Sequence, residues 1–359
     1  MGKKTWGIRA SIASAVLAAS SCGVGLAWST SAQAASSAAP KVKIAFLMPE
    51  TTSSPRWEYD DRPDFIAEMK KLDPNAQIIY NNAQGSESTQ LQQVESAITN
   101  GAQLLVVAPV NGYAASTIVT EASRAKVPVI SYDRLIMNAK VQYYVSFNNV
   151  EVGRLQGEYI AQHTKKGGTV VMLDGAPTDP NAKQFAEGAH QVLDPLFKSG
   201  KLKLGYEQYT QNWDSATAQT EMEQALTKLN NKVNGVLAAN DNLAGAAIQA
   251  LTQQHIKGIP VTGQDATDAG LHRIYYDGTQ SMTVYKPIKE EAKAAADLAY
   301  DILTGKKATG LVNGSTANGA AKIPSVLLTP IMVTKANVAS TVIKDGYTTW
   351  AHIKNPAQQ

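Results

Sequence analysis

The sequence has almost no sulfur chemistry. Its single cysteine among 359 residues is Cys22, and that residue lies in an N-terminal stretch that reads as an export signal. Lys3, Lys4 and Arg9 form a basic start, residues 12–28 are apolar or small, and Ala32-Gln33-Ala34 supplies the small-x-small pattern that precedes cleavage. Cleavage after Ala34 leaves a chain with no thiol, which excludes disulfides, thiolate metal ligands and cysteine nucleophiles. The competing expectation is lipidation at Cys22, in LAASSC, where Ala19 stands in place of the usual leucine. Residues 35–40 read as a spacer.

A surplus of charge is also lacking. The formal charge of +3 comes from the signal: residues 1–34 hold three basic and no acidic residues, so the remainder sums to 3 − 3 = 0. Without a cationic face, no nucleic-acid partner is expected. The five histidines, at 163, 190, 255, 272 and 352, are scattered, none paired at metal-ligand spacing. Neither a Walker A loop nor G-x-G-x-x-G nor G-x-S-x-G occurs. No metal and no cofactor is expected. Tryptophan is scarce: of five, Trp6 and Trp28 leave with the signal and Trp350 stands near the C-terminus. The remaining two, Trp57 and Trp213, would lie in different halves of the chain.

What is present is alternation. Apolar strand-like runs recur at 42–48, 77–80, 104–110, 127–132, 142–147, 169–173, 203–206, 235–239, 260–263 and 281–285. Helical patterns lie between most of them, clearest at 88–100 (Leu91, Val94, Ala97 and Ile98 on one face) and 243–254 (Ala247, Ile248 and Leu251). Strand and helix in turn predict an α/β fold with parallel sheets. Ten runs and this length predict two sheets in two lobes. The last third, helical at 290–303 and extended at 325–333, is expected to pass between them.

Ligands of open α/β sheets bind beyond the carboxyl ends of the strands. Polar planar side chains and tryptophans stand there: Arg56-Trp57, Asp133-Arg134, Asn148-Asn149, Asn181 and Lys183, Asn212-Trp213, Asn240-Asp241, Gln264-Asp265 and Lys286. One Asx at a strand end is ordinarily a turn or helix cap. Two Arg, two Lys, several Asn and Asp and two Trp together point to a ligand. Flat aromatic faces suit a ring with C–H faces, and amides and charges at its rim suit hydroxyls that both donate and accept. That ligand is a monosaccharide. Arg56 and Trp57 in a polar loop are then expected to find their missing partner in it.

The ordered motifs PRWEYDD, YDR, SFNN, PNAK, NWD, ANDNLAGAAIQAL, TGQDA and MTVYKP resemble the D-xylose-binding proteins of bacterial ABC sugar transporters, within the periplasmic-binding-protein type I superfamily. The likeness runs through nearly all of 41–349 and departs from the family pattern at Asn148, where Asp is usual. It implies two Rossmann-like lobes with parallel sheets joined by a three-strand hinge. The lobes would be 41–149 with about 285–321, and 150–284 with about 322–357. By position, Arg56, Arg134, Asn181, Asn240, Asp265 and Lys286 would bond sugar hydroxyls, with Asp133 beside them and Lys183 a further ligand. Trp57 and Trp213 would sandwich the ring. The implied protein is exported to the periplasm or cell surface and monomeric. It would capture sugar, D-xylose by the resemblance, through hinge closure and deliver it to a membrane permease.

Two other functions fit the sequence less well. An enzyme using Asp133, Asp241 and Asp265 as acid and base lacks any supporting motif, and carboxylates beside Arg or Asn read better as hydroxyl acceptors. A sugar-responsive repressor would need a helix-turn-helix headpiece where the export signal stands. A role in signalling through a chemoreceptor or sensor kinase stays open, as does another pentose or a hexose.

Overall fold

The computed structural model describes residues 42–307 and 310–356; the export segment, the spacer and Cys22 lie outside them. Along the chain run β1 (Lys43–Met48), α1 (Arg62–Leu72), β2 (Gln77–Asn82), α2 (Glu87–Thr99), β3 (Leu104–Val107), α3 (Ser116–Arg124), β4 (Val129–Tyr132), β5 (Tyr143–Phe147) and α4 (Asn149–His163). There follow β6 (Gly168–Asp174), α5 (Pro180–Lys198), β7 (Leu202–Tyr209), α6 (Ser215–Lys228), β8 (Gly235–Ala238), α7 (Asp241–Gln253), α8 (Asp268–His272) and β9 (Met282–Tyr285). The last third holds α9 (Ile288–Leu303), β10 (Gly314–Ala317), β11 (Lys322–Leu328), β12 (Ile331–Thr334) and α10 (Trp350–Lys354).

The first sheet has the order β10-β11-β5-β4-β3-β1-β2, parallel except for β10. Its central strands are covered on both faces, so they are apolar end to end: β3 reads LLVV and is wholly buried. The second sheet has the order β7-β6-β8, all parallel. The antiparallel pair β9 and β12 adjoins it, because Val284 N–H donates to Gly263 O and Asp265 N–H to Val284 O. Helices cover both faces of each sheet. The chain passes between the sheets three times: after β5, after β9, where α9 returns to the first sheet, and between β11 and β12.

Helix starts are written into the sequence. Ser86, Asn148, Asp179 and Asn240 each accept a backbone N–H of the following first turn, opening α2, α4, α5 and α7. In the second lobe α4 and α5 pack backbone to backbone. A Cβ on Gly153 would lie 1.8 Å from Phe185 O, and one on Gly188 1.9 Å from Val150 O. Only glycine permits that approach.

Three expectations need correction. The run at 260–263 forms a single bridge, Val261 to Val236, and no strand. The extended run at 325–333 is two strands in different sheets, broken at Thr329-Pro330, where proline withholds a ladder donor. β11 pairs with β5 and β12 with β9. Trp57 does not sit in an open loop: it begins a helical turn, Trp57–Asp61, that runs into α1.

Candidate functional site

Between the lobes lies a cavity lined by Ser53, Ser54, Arg56, Trp57, Asp133 and Arg134 of the first lobe and by Asp179, Asn181, Phe185, Trp213, Asn240, Gln264 and Asp265 of the second, with Lys286 at the crossing. Its empty volume is about 310 Å³, part of it open to solvent. Nine of the ten residues that the resemblance assigns to the ligand meet here. They do so because β1, β4, β6, β8 and β9 all end at this cleft, as in other open parallel sheets.

Lys183 is the exception. Asn181 and Lys183 are two positions apart on α5, and so project about 200° apart around the helix. Asn181 points into the cleft. Lys183 is exposed, with Nζ 4.9 Å from the Tyr113 ring centre.

The lobes are in contact across the cleft. Arg134 Nε of one pairs with Asp179 Oδ2 of the other at 3.0 Å. Asn181 Nδ2 donates to Asp133 Oδ1 at 3.1 Å and to its carbonyl at 3.2 Å. Gly112 N–H donates to Thr178 O at 3.0 Å. Asn240 Nδ2 donates to Ser53 O at 3.4 Å while its Oδ1 caps α7.

Arg56 is bound more fully than the sequence reading supposed. Its Nε and Nη2 donate to the two oxygens of Asp61 at 2.8 and 2.7 Å. Nη2 also donates to Glu291 Oε2 at 2.5 Å, and Nη1 to Asp133 Oδ2 at 2.9 Å. Four of its five N–H bonds are therefore taken within the protein. The expectation that a ligand supplies its missing partner holds for one N–H at most. Arg134 donates through Nη2 to Glu50 at 2.8 Å and to Ser53 Oγ at 3.1 Å, leaving Nη1 for other use. Lys286 Nζ lies 3.1 Å from Asp265 Oδ1 and 3.9 Å from Asp133 Oδ2.

These charges set one another. Burial works to raise the Asp133 carboxyl, but Arg56, Lys286 and Arg134 outweigh it and hold the group below its ordinary range. Burial works against the ammonium of Lys286; Asp265 and Asp133 reverse that and raise it. Burial dominates at Glu291, which stays well above the usual carboxylate range despite Arg56, with Asp133 and Asp61 adding to the rise.

Among the described residues, two polar atoms of the lining are buried without a partner: the indole Nε1 donor of Trp57 and the Oε1 acceptor of Gln264. A buried polar atom without a partner costs about 1–3 kcal/mol, so each asks for a ligand atom of the opposite kind. Backbone strain gathers here too, with φ of 53° at Asp133, 57° at Trp213 and 91° at Asp265. For a residue as bulky as Trp such a φ is unusual, and strain of this kind collects at binding sites. Trp213 donates Nε1 to Asp179 Oδ2 at 3.3 Å and meets Phe185 edge-on. Trp57 has the guanidinium carbons of Arg56 and Arg134 at 4.7 and 5.5 Å from its ring centre.

Sequence reasoning missed Glu50, Asp61, Asp179, Glu291 and the lining role of Gln264. Asp61 could have been found from the acidic run one helical turn beyond Arg56. Glu291, 235 positions away from Arg56, leaves no sequence signal.

A fold of this topology, with a charged cleft between two lobes, invites comparison with known proteins. The profile described as periplasmic binding protein domain matches residues 44–307. The chain belongs to the periplasmic binding protein family. It is 41% identical to the D-xylose-binding periplasmic protein of Escherichia coli over 312 residues, 86% of this chain and 92% of that one. It is also 41% identical to the protein of the same description from Haemophilus influenzae, over 82% and 87% of the two chains. An ABC transporter solute-binding protein from Clostridium phytofermentans, solved with bound β-D-glucose, superposes with a TM-score of 0.80 at 31% identity, covering 87% of this chain and all of that one. As a periplasmic binding protein the chain is no enzyme, and Asp133, Asp241 and Asp265 have no acid–base reaction to perform. Asp241 does not line the cavity: it accepts from Gln280 Nε2 at 2.6 Å and Thr267 N–H at 2.8 Å. Among the described residues no helix is long and apolar enough to cross a membrane, and no group of three or more His, Cys, Asp or Glu is arranged to hold a metal ion.

Proposed function

We propose that this chain captures a monosaccharide, D-xylose, between its lobes outside the cytoplasmic membrane and delivers it to an ABC permease. The observation that carries the reading is the interlobe cavity with two indoles in its wall, charged and amide groups around it, and one unpartnered donor and acceptor. Arg134 Nη1, the last N–H of Arg56, Asn240, Asp265, Lys286 and Gln264 would meet hydroxyls. Trp57 and Trp213 would take the C–H faces of the ring. Sugar binds one lobe first, and closure is favoured by contacts that exist only in the closed form, such as Arg134 with Asp179.

Xylose over glucose is the finer part of the proposal. The two pyranoses share their ring hydroxyls and differ by the hydroxymethyl group, so discrimination must come from whatever fills that space. The 41% identity with D-xylose-binding proteins supports a pentose. The fold neighbour solved with glucose favours the second reading, a hexose. Titration of the chain from residue 35 onward with xylose, glucose, ribose, arabinose and galactose decides. Xylose is expected to bind tightest; glucose or ribose binding equally well would overturn the pentose assignment, and no heat with any sugar would overturn the class.

A further inference from the structure

Glu291 is a buried acid in an unlikely place. It sits on α9 among Ala292, Ala294, Ala295, Ala296 and Leu298, the apolar face that packs on the first sheet. It does not line the cavity. Its Oε2 accepts from Arg56 Nη2, and its Oε1 has no partner among the described residues. A buried carboxyl in an alanine face is costly unless its one bond serves a purpose. That bond reaches the only part of Arg56 that Asp61 and Asp133 leave uncommitted, apart from a single Nη1 hydrogen. α9 begins two residues beyond Lys286, at the crossing between lobes.

We propose that Glu291 is a positioning residue for the sugar site: by adding a third acidic side chain to the acceptors around Arg56, it fixes the guanidinium so that its last N–H faces the cavity. The proposal rests on the sugar-binding reading above. Asp61 grips one edge of the fork and Asp133 one hydrogen of Nη1. Without Glu291 the group could tilt about the Asp61 edge, and the remaining N–H would no longer meet one hydroxyl direction. Because the bond starts from the helix that follows the crossing, it also ties the orientation of Arg56 to the hinge.

The test is titration calorimetry with D-xylose and D-glucose on the wild type, Glu291→Gln, Glu291→Asp and Glu291→Ala, beside melting without sugar. Gln keeps an acceptor at the same reach, so it should bind within about three-fold of wild type. Asp keeps the carboxyl group but falls a methylene short, and Ala removes the acceptor. Both should weaken binding by roughly ten-fold, the size expected when a hydrogen bond to a charged group is lost. In an Arg56→Lys background the Glu291→Ala penalty should largely vanish, since the ammonium has no fork to orient. If Ala does not fold, Gln against Asp carries the comparison. Melting lowered in Asp and Ala with unchanged affinity, or additive losses in the Arg56→Lys background, would mean a purely structural acid and overturn the inference. A wild type that binds neither sugar would overturn the sugar reading and this inference together; a wild type that binds, with Glu291 variants equal to it, overturns this inference alone.

Discussion

At the scale of single residues, the site is a set of charges that satisfy one another and leave a few groups over. Trp213 is held in strained backbone by Asp179 and Phe185, so its ring should be preorganised as an anchor. Trp213→Ala is expected to weaken sugar binding by about 1–3 kcal/mol, the usual loss of one well-packed aromatic anchor, and to lower the melting point of the free protein, since the ring is also part of the second lobe's core. Calorimetry giving unaltered affinity would remove Trp213 from the site. Asp265 carries a different test. Its φ of 91° is tolerated by Asn better than by Ala, and its carboxylate pairs with Lys286. Asp265→Asn keeps an acceptor beside the ammonium; Asp265→Ala leaves it only the longer contact to Asp133. Affinity should fall further in the Ala variant, and equal binding by both and wild type would leave Asp265 a purely structural residue.

At the scale of elements, helix ends aim the site. α5 carries Asp179 as its cap and Asn181 in its first turn, both into the cleft. Its position is fixed by α4 through the glycine contacts at 153 and 188. Gly153→Ala is expected to force the helices apart, destabilising the lobe by about 1–3 kcal/mol as overpacking does. It should also weaken sugar binding, although Gly153 touches nothing in the cavity. Chemical denaturation and titration on one preparation would check both effects. A loss of stability with unchanged affinity would show that α5 keeps its place without α4. Most of these elements were legible in the sequence, because their alternating apolar runs and Ser, Asn and Asp caps are local signals. The bridge at Val261, the edge strand β10 and the break at Thr329-Pro330 were not, since strand pairing depends on partners far away in the chain.

At the scale of the whole molecule, closure brings acids together. Asp60 of the first lobe lines a groove with Thr267, Asp268, Tyr347, Thr348 and His352 of the second. Burial, then the charge of Asp61, raises its carboxyl to about 7 despite Arg56, with Asp64 and Asp268 adding to the rise. Opening the lobes would lower it by the share of burial and the Asp268 charge that the far side of the groove supplies, while Asp61 and Asp64 stay beside it. A group raised in the closed form favours closure below its open-form pKa, and that contribution is lost as pH rises through about 7. Sugar affinity should therefore tighten as pH falls from about 8 toward 5, and Asp60→Asn should flatten the profile. Titrations across that range showing the same slope in both proteins would assign the dependence elsewhere.

The sequence by itself determined the local and the periodic: the α/β class, the parallel strands, the helix caps and the strand-end residues that face the cleft. Each of those depends on neighbours within a helical turn or a strand, or on the rule that parallel strands end on one side of their sheet. Only the tertiary structure decided which of those residues are free. Arg56 reads in the sequence as a donor awaiting a ligand, and the fold surrounds it with Asp61, Asp133 and Glu291. Lys183 reads as a ligand beside Asn181, and the turn of α5 sends it to solvent. Ion pairing in a buried cleft depends on distance in space, and Glu291 reaches Arg56 only because the chain passes between the sheets after β9 and lays α9 against the first sheet.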